Sequence, residues 1–506
     1  MIEFSAAEIA ELTSGTLSAG TEPTLTIDVA TIATDSRDAV PGGMYVAKAG
    51  EQADGHDYVA AAFAAGSVLA LAEREVAAND AGTPFPAVIV ADAVRAMGTL
   101  AAEVVRRIRA HSPLTVIGIT GSAGKTTTKD LLFGILSQHG ATVAPIGSYN
   151  GEVGVPLTVF SADEDTRFLI IEMGATKVGQ IKYLSDMVHP DLGVVLCVGS
   201  AHAGEFGSIE NIAAAKGELA EALPPRGRAL LNYDDGRVRA MAARSAAPVT
   251  FFSSADAPET GLPDTAGGPR FLQARNVRTN ADGQPEFDLA FPGREDTLPV
   301  GSKLLGLHHV TNLLAAASAA HEVGIAPEDI VASLNQQRPA SRHRMERTDR
   351  SDGVTVINDA YNANPESMRA ALRTLAELGG SGARRTWAVL GEMLELGEDS
   401  VLEHDAVGRV AVRLNISRLL VIGDGARAMH VGAVMEGSWG EESMFLPDAD
   451  AAYQLLTAEL APGDIVLFKS SNGSGLRFLG DRIALPTGIG PAATSDTTFG
   501  ERTAQP

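Results

Sequence analysis

The sequence has a single cysteine, Cys197, among its 506 residues. An intrachain disulfide is therefore impossible, and cysteine usage says nothing more about the redox compartment. Basic residues are also scarce beside acidic ones: 40 Lys and Arg stand against 63 Asp and Glu, which gives a formal net charge of −23. Such a chain is unsuited to nucleic acid as a general partner, because phosphate backbones are bound by positive patches.

Long apolar runs are missing as well. The apolar stretch at 68–72 is far too short to span a bilayer. The first twelve residues lack a basic region followed by an apolar one, so we expect no signal peptide and a cytoplasmic protein. What the chain does have is length and a hydrophobic content of 45%. These are enough for about three domains, each with its own core.

One stretch, residues 114–138, organises the rest of the chain. Its apolar, β-branched start predicts a buried strand, and a helical pattern begins at Lys125. Between them lies a glycine loop, Gly121-Ser122-Ala123-Gly124. Strand, loop and helix together form a cradle in which backbone N–H groups face a phosphate. Lys125 can reach the β- and γ-phosphates, and the hydroxyl of Thr126 can bind Mg²⁺.

This loop is a shortened form of the full phosphate-binding pattern. The full pattern has a glycine five residues before Gly124, where this chain has Ile119, so the motif is G-x-x-G-K-T-T. An ordinary strand-to-helix turn with a surface lysine is the alternative. The loop alone indicates a nucleoside triphosphate and names no reaction.

Short apolar runs and helical patterns alternate along most of the chain. This alternation predicts an α/β fold built on parallel sheets, with boundaries near residues 110 and 333. A Pro/Gly/Asp-rich patch at 255–270 is predicted to be an exposed loop. The tail at 484–506 is rich in Pro, Gly and Thr without periodicity, so we expect it to be disordered.

Two polar residues follow predicted central strands. Glu172 ends the buried run FLIIE, and His202 lies just past LGVVLCV. Both would lie at the carboxyl edge of the sheet, where open α/β folds bind ligands. An acid beside a phosphate loop is the usual Mg²⁺ ligand. The alternatives are a solvent-facing acid at a strand end for Glu172 and a structural histidine for His202.

Lys216 interrupts the apolar face of a predicted helix at 209–223. Ile209, Ile212 and Leu219 follow the helical spacing, and Lys216 falls on the same stripe. A lysine is rarely fully buried there without a partner. It either extends its amine to the edge of the face or is a desolvated amine with a lowered pKa, able to react or to be modified. The spacing does not decide between the two.

Asp359 follows the strand-like run VTVIN and opens the segment DAYNANPES. An acid at a strand end with a polar loop predicts a second binding surface. Asn362 and Asn364 are turn formers in any case, so an ordinary turn is an equal alternative.

Seven segments together resemble the Mur ligases, the ATP-dependent amino-acid ligases of peptidoglycan precursor synthesis. They occur in the family's order and spacing: TGSAGKTTT from Thr120, YNGEVGVP from Tyr149, EMGA from Glu172, AHAGEFGS at 201–208, AAKGE at 214–218, GLHHVTNLLAAA at 306–317 and INDAYNANPESM at 357–368. The resemblance runs from about residue 30 to residue 480 and includes the shortened loop. It implies three domains: a small N-terminal α/β domain, a central parallel-sheet domain with the phosphate loop, and a Rossmann-like C-terminal α/β domain.

Within the family, three segments are similar to the branch that joins D-alanyl-D-alanine to UDP-N-acetylmuramoyl-tripeptide. They are the D-x-Y-N-A-N-P loop, LGEMLELG at 390–397 and the run ATDSRDAVPGGMYVAKAGEQADGHDY at 33–58. The resemblance implies amide formation through an acyl phosphate, with ATP and Mg²⁺ as cofactors, those two substrates as partners, and a monomer. The alternatives are a sister ligase that adds one amino acid, a folylpolyglutamate-type ligase and, in another class, an ATP-driven conformational switch.

The resemblance also implies roles by position. The residues implied for the ATP phosphates are Gly121, Ser122, Ala123, Gly124, Lys125, Thr126 and Thr127. Those implied for Mg²⁺ are Thr126, Glu172, His202 and Lys216, with Lys216 as a carbamylated lysine that helps to hold a second ion. Those implied for the rest of the nucleotide are His308, Asn312, Arg344 and Asp359. The implied catalytic set is Lys125, Lys216, His202, Arg344 and Asp359.

Substrate-binding residues are implied in all three domains. Those for the UDP-linked sugar are Ser36, Arg37 and Lys48, those for the dipeptide are Asn362 and Asn364, and Asn150 and Tyr361 also belong to the substrate set. Domain 1–110 would then bind the precursor, domain 111–332 ATP, and domain 333–483 the incoming dipeptide. The chain departs from the family at His309, where asparagine is common, and at KSSNGSGLR (469–477), to which we assign no catalytic role.

Overall fold

The computed structural model describes residues 2–50, 53–78, 82–199, 203–255, 270–380, 382–437 and 442–485. The chain divides into two compact units: Met1–Ser341 with Glu395–Gly397, and Arg342–Leu394 with Glu398–Pro506. The predicted boundary near 333 lies close to this division, and the one near 110 lies inside the first unit. Nearly all of the predicted loop at 255–270 and of the predicted disordered tail lies outside the described residues.

The first part of the first unit is a small α/β region. Its strands are β1 (Glu3–Ser5), β2 (Thr16–Leu17), β3 (Thr26–Asp28), β4 (Met44–Val46), β5 (Leu69–Ala72) and β6 (Ala87–Ile89), and its helices are α1 (Ala6–Thr13), α2 (Val59–Ala64) and α3 (Ala93–His111). β1 and β3 pair antiparallel, and a second sheet has the order β2-β6-β5-β4. Ser5 and Glu8 cap α1 reciprocally, which explains why it begins there.

The rest of the first unit is built on a sheet of nine strands within the described residues. The strands are β7 (Thr115–Thr120), β8 (Thr142–Val143), β9 (Phe168–Glu172), β10 (Leu192–Val195), β11 (Arg228–Asn232), β12 (Val249–Ser253), β13 (Arg270–Thr279), β14 (Pro285–Ala290) and β15 (Thr297–Gly301). Their order is β15-β14-β13-β12-β11-β10-β7-β9-β8. All neighbours are parallel except the pairs β13–β14 and β14–β15.

Helices cover this sheet. They are α4 (Lys125–Leu136), α5 (Gly154–Phe160), α6 (Gln180–Val188), α7 (Ala203–Phe206), α8 (Ile209–Glu221), α9 (Gly236–Ala240), α10 (His309–Glu322) and α11 (Pro327–Gln336). The central strands read as continuous apolar runs because both of their faces are buried. β7 lies between β10 and β9, so the strand order reverses beside it, and this is where ligands bind in open α/β sheets.

The second unit contains a mixed sheet of six strands in its described part. The strands are β16 (Glu346–Asp349), β17 (Thr355–Asn358), β18 (Thr386–Leu390), β19 (Arg418–Ile422), β20 (Ser443–Leu446) and β21 (Ile465–Lys469). The helices are α12 (Pro365–Gly379), α13 (Ser400–Arg413), α14 (Arg427–Glu436), α15 (Ala449–Glu459) and α16 (Leu476–Ala484). The order is β16-β17-β21-β18-β19-β20, and only β16 runs antiparallel to its neighbour.

The predicted α/β fold with parallel sheets is confirmed in both units. One predicted strand, Leu192–Val198, ends early, at Val195. After this residue the backbone bonds elsewhere: Asn232 Nδ2 donates to Leu196 O over 2.8 Å, and Ser122 N donates to Cys197 O over 3.0 Å. Among the described residues, no helix is long and apolar enough to cross a membrane.

Candidate active site

The predicted phosphate loop joins β7 to α4. Gly124 precedes α4 with φ of 83°, a conformation that favours glycine. A Cβ at Gly124 would overlap Oδ1 of Asn312, so the loop lies directly against α10. Lys125 Nζ donates to Gly121 O over 2.8 Å, which folds the lysine back over the loop. The N-terminus of α4 and the half-buried lysine thus face the same small space, as a phosphate-binding loop requires.

Thr126 and Glu172, two of the predicted metal-binding residues, meet in the structure. Thr126 Oγ1 donates to Glu172 Oε2 over 2.9 Å and lies 3.2 Å from Ser148 Oγ. Asn150 Nδ2 donates to the other carboxylate oxygen, Oε1, over 2.8 Å. The pairing follows from the sheet, because β7 and β9 are parallel neighbours with Ile119 opposite Glu172. Glu172 is only 1% exposed.

Asn150, which the resemblance implies as a substrate-binding residue, also has a structural contact: its amide donates to the carboxylate of Glu172. Its role toward the substrate stays a prediction. Ser148, which sequence reasoning missed, contacts the hydroxyl of Thr126. Both belong to the loop that follows β8, and neither has a periodic signal that could have identified it.

Lys216 is buried, with 3% of its surface exposed. No carboxylate of the described residues pairs with its amine. Burial, and then the positive charge of Lys125, lowers the pKa of Lys216 to about 7. Of the two predicted alternatives, the structure supports the desolvated amine and contradicts the lysine that extends to the edge of its face. This amine is therefore deprotonated more easily than that of an exposed lysine.

The adenine segment lies at the start of α10. The imidazole rings of His308 and His309 have centroids 4.1 Å apart. His309 Nδ1 accepts a hydrogen bond from Asn312 Nδ2 at 3.1 Å, which assigns the ring proton to Nε2. Burial, and then the charge of His308, holds the pKa of His309 well below its usual range. The departure at His309 thus has a local effect: the ring positions Asn312 against the phosphate loop.

His202, predicted to bind metal and to be catalytic, lies outside the described residues. Within the described residues no group of three or more His, Cys, Asp or Glu side chains gathers as a metal cluster. The donors that the structure brings together are instead a hydroxyl and a carboxylate, Thr126 and Glu172. Such an incomplete set suits Mg²⁺, which takes one or two carboxylates from a protein and completes its shell with phosphate and water.

The residues predicted for the UDP-linked sugar lie in the small sheet region. Ser36 and Arg37 form a short 3₁₀ turn, and Arg37 pairs with Asp35 at 2.7 Å on the surface. Lys48 follows β4, at the carboxyl edge of the sheet, and is half-buried. This edge therefore presents polar and cationic groups.

The sequence analysis assigns no role to His56, a buried histidine in the same region. His56 Nε2 accepts the backbone N–H of Glu73 at 3.0 Å, so the ring proton is on Nδ1, where it bonds to Asp54 at 2.6 Å. Glu73 Oε1 in turn accepts the N–H of Ala93 at the start of α3. This chain of bonds fixes the loops after β4 and β5.

The second unit has its own polar edge. Asp359 follows β17, and its Oδ2 accepts a bond of 2.6 Å from Lys469 Nζ at the end of the neighbouring strand β21. Met345 N donates to the other oxygen, Oδ1, over 3.0 Å. Lys469 Nζ also donates to the carbonyl of Asn362 over 3.1 Å. Lys469 lies in the segment to which we assigned no role, so the sequence missed it.

The remaining predicted residues of this unit lie close by in the chain. The guanidinium of Arg344 lies over the ring of Tyr361, 4.3 Å from its centroid. Asn362 is exposed. Asn364 is buried and caps α12, where its Oδ1 accepts the N–H of Ser367 at 2.8 Å. The roles of both residues toward the dipeptide stay predictions.

Comparisons with known proteins agree with this arrangement. Three family models match the chain: "Mur ligase family, catalytic domain" at residues 28–120, "Mur ligase middle domain" at 119–320 and "Mur ligase, glutamate ligase domain" at 343–472. The chain is similar to a UDP-N-acetylmuramoyl-tripeptide–D-alanyl-D-alanine ligase of Mycobacterium tuberculosis, with 44% identity over 96% of this chain and 98% of that one. A Bacillus subtilis protein of the same name is 31% identical over 94% and 96% of the two chains.

Solved structures show the same likeness. A crystal structure of MurF from Acinetobacter baumannii matches with a TM-score of 0.82 and 28% identity, over 96% of this chain and 99% of that one. MurF from Thermotoga maritima in complex with ADP matches with a TM-score of 0.75 and 24% identity, over 90% and 98%, which shows the shared fold. Sequence, family models and structure agree along nearly the whole length, and the chain belongs to the Mur ligase family.

Proposed function

We propose that this protein is an ATP-dependent ligase that joins D-alanyl-D-alanine to UDP-N-acetylmuramoyl-tripeptide. The observation that carries the proposal is the phosphate loop with Thr126 held against Glu172, in a chain 44% identical to ligases of that name. Because the relatives match over nearly their full length, the whole reaction and not a part of it is proposed.

The reaction has two steps. The terminal carboxylate of the tripeptide attacks the γ-phosphorus of ATP, which releases ADP and forms an acyl phosphate. The amine of the dipeptide then attacks the acyl carbon, a tetrahedral intermediate forms, and inorganic phosphate leaves as the amide bond is made. The first step brings two anions together, so the site must screen negative charge. Lys125 and the N-terminus of α4 are placed to do so.

We assign Mg²⁺ to Thr126 and Glu172. Their oxygens lie 2.9 Å apart in a buried position, with Asn150 and Ser148 fixing their orientation, and hard oxygen donors of this kind fit the ion. When bound, Mg²⁺ would neutralise phosphate charge and orient the γ-phosphate. We retain His202 as a further ligand in this proposal, on the basis of the family resemblance alone.

We further propose that Lys216 is carbamylated in the active enzyme. Its buried amine is substantially neutral near pH 7 and can add carbon dioxide, with loss of one proton, to give a carbamate. This converts a cation into an anion with two oxygens, which suits a second Mg²⁺, whereas an ammonium would repel it. The absence of a carboxylate partner for Lys216 among the described residues supports this assignment.

We assign the dipeptide to the second unit and the UDP-linked sugar to the small sheet region, where Ser36, Arg37 and Lys48 lie. Tyr361 and Asn362 are the polar groups at the loop after β17 that support the first assignment. The reaction is proposed to occur in the cytoplasm, because ATP drives it, and in a monomer, as the family resemblance implies.

The test is product formation. The purified protein is incubated with ATP, Mg²⁺ and UDP-N-acetylmuramoyl-tripeptide, and with D-Ala-D-Ala, single amino acids, or folate with glutamate. The dipeptide should be ligated far faster than D-Ala or any L-amino acid, because a site built for its peptide amide and its more distant carboxylate leaves buried polar groups unpaired when a single amino acid binds. Equal rates with a single amino acid would indicate a sister activity. ATP hydrolysis that needs neither peptide substrate would indicate a conformational switch.

A further inference from the structure

The helix that carries Lys216 is held by residues on several of its faces. Successive residues of an α-helix point about 100° apart, so positions 216, 217 and 218 face three different neighbours. Toward the sheet, Leu219 fills the space left by Gly118 on β7 and Gly193 on β10, where a Cβ would lie 3.0 Å from its carbons. These two glycines let α8 lie close to the strand that leads into the phosphate loop.

Arg244 holds a second face of α8. It ends a short 3₁₀ turn, Met241–Arg244, whose first two residues are buried. Its Nη2 donates to Ala214 O over 2.9 Å and its Nη1 to Ala213 O over 3.3 Å. Its Nε donates to Glu221 Oε1 over 2.7 Å. The guanidinium thus bonds to α8 on both sides of Lys216.

Gly217 makes this approach possible. A Cβ built at Gly217 would overlap the guanidinium of Arg244, the end of a long side chain, so the two cannot occupy their present positions together. Glycine in a helix interior is destabilising relative to alanine. Its presence next to Lys216 is therefore explained by the room that Arg244 needs.

Glu218 holds a third face. It is buried, its Oε1 accepts the N–H of Gly179 at 2.6 Å, and its Oε2 accepts the N–H of Lys182 at 2.8 Å. These two N–H groups lie at the start of α6 and have no partner within that helix, so a carboxylate is favoured there. The sheet, α6 and the 3₁₀ turn thus contact three faces of α8, through Leu219, Glu218 and Arg244.

We infer that Arg244 is a positioning residue for Lys216. Its planar fork, lying on Gly217, fixes the helical turn that carries the amine of Lys216, on which the charge of Lys125 acts. The inference rests on the proposed ligase function, in which Lys216 serves the phosphoryl-transfer step. A misplacement of about 1 Å at a catalytic group can lower a rate by about a hundredfold, so an indirect contact of this kind is sufficient to affect kcat.

The first test compares Arg244→Ala with Arg239→Ala. Arg239 lies on the neighbouring helix α9 and bonds to Tyr233 O over 3.1 Å instead of to α8, so it is a matched control. Well below both melting temperatures, Arg244→Ala should lower kcat for ligation roughly ten- to a hundredfold with the KM for ATP changed less than about threefold. Arg239→Ala should keep kcat. Arg244→Lys keeps the aliphatic stem and the positive charge but lacks the planar guanidinium. It should also lower kcat, and it replaces the alanine variant in this test if that variant does not fold.

The second test uses Gly217→Ala. In the wild-type background the new Cβ displaces the guanidinium, so kcat should fall about as far as in Arg244→Ala. In the Arg244→Ala background the same substitution no longer meets the guanidinium and should cause little further loss. A normal kcat in Arg244→Lys and Arg244→Ala would overturn the inference. So would a Gly217→Ala loss of equal size in both backgrounds.

The third test asks whether Arg244 acts through Lys216. In a Lys216→Met background, Arg244→Ala should leave the residual rate of product formation unchanged. A further tenfold loss there would show a separate role and overturn the inference. If the proposed ligase function is wrong, the wild-type protein forms no ligation product at all. That result differs from every outcome that would overturn the inference about Arg244.

Discussion

Lys216 in the first unit and Lys469 in the second are both buried, with 3% of each residue exposed. Lys469 ends β21 in the second unit, whereas Lys216 lies within α8. Lys469 bonds to the carboxylate of Asp359 over 2.6 Å. No carboxylate of the described residues pairs with Lys216, and the largest charge effect on its amine comes from another cation, Lys125. Two lysines with the same exposed fraction thus have different surroundings, and burial with a cation nearby lowers the pKa of Lys216.

A third buried lysine also pairs with a carboxylate. Lys129 on α4 pairs with Asp130 at 2.6 Å and donates to Pro145 O over 3.0 Å. Its bond to Pro145 ties α4 to the loop that carries Ser148 and Asn150. Of the three buried lysines in the described part of the chain, Lys129 and Lys469 pair with a carboxylate and Lys216 does not.

The largest effect is expected from removing the cation that acts on Lys216. Lys125→Ala should lower kcat for ligation by about a thousandfold or more, because the transferred phosphoryl group loses its main protein cation. The fold should remain, as seen by circular dichroism. Phosphate release at saturating ATP and Mg²⁺ is the measurement, with the exposed Lys177→Ala as control. Near-normal turnover would remove Lys125 from the reaction.

The next prediction concerns the ion pair between Lys469 and Asp359 in the second unit. Lys469→Met leaves the half-buried carboxylate of Asp359 without its cation, so the free energy of unfolding should fall by about 1–3 kcal/mol. The double variant Lys469→Met/Asp359→Asn should recover part of this loss, because no uncompensated charge remains. Denaturant titration measures both. An unchanged stability of the single variant would show that the pair is not needed.

Removing the amine of Lys216, which has no carboxylate partner among the described residues, should raise the free energy of unfolding instead of lowering it. The pKa of Lys216 is about 7 in the folded chain and roughly 10.4 when unfolded. Between these pH values the unfolded chain binds more protons, so wild-type stability rises with pH across this window. Lys216→Met removes the buried amine, and below pH 7 its free energy of unfolding should exceed that of the wild type by a few kcal/mol.

That gain should shrink as pH rises from about 7 and vanish above roughly 10.4. The measurement is a denaturant titration at several pH values in buffers free of carbon dioxide. Lys182→Met, whose amine pairs with Asp186 on the surface, serves as the control and should show no such gain. A Lys216→Met gain that does not depend on pH would contradict the lowered pKa.

The smallest effect is expected from the group that orients Glu172. Asn150→Ala leaves the carboxylate bonded to Thr126 but removes the bond of 2.8 Å to Oε1. Loss of one bond to a charged group corresponds to about tenfold in kcat, and the Mg²⁺ concentration for half-maximal rate should rise. Asn335→Ala, an asparagine on α11 that bonds to Gly301, is the control. A change in the KM for the UDP-linked precursor alone would favour the original prediction of Asn150 as a substrate residue.

Local patterns explain what the sequence could predict. The strand, loop and helix around Gly121–Lys125 are contiguous, so their spacing alone places the phosphate cradle. The meeting of Thr126 with Glu172 followed from two strand ends at one edge of a parallel sheet. Lys216 could be singled out because it breaks an apolar stripe, but only burial in the folded chain decided between its two interpretations.

The residues that were missed depend on contacts between distant parts of the chain. Lys469 meets Asp359 only because β21 inserts beside β17, which no local pattern encodes. Arg244 reaches α8 from a short 3₁₀ turn, and the one signal for it was a glycine in the middle of a helix. The helix-capping bond of Asn364 was not predicted either, although the residue itself was predicted to bind the dipeptide.

The most direct test of the contrast between the two lysines is a carbon-13 NMR measurement under labelled bicarbonate. It is made on the active wild-type protein and on the Lys216→Met and Lys469→Met variants. The account predicts one carbamate resonance in the wild type, its loss in Lys216→Met and its retention in folded Lys469→Met. An active wild-type enzyme without the resonance, or a resonance that survives in Lys216→Met, would contradict it.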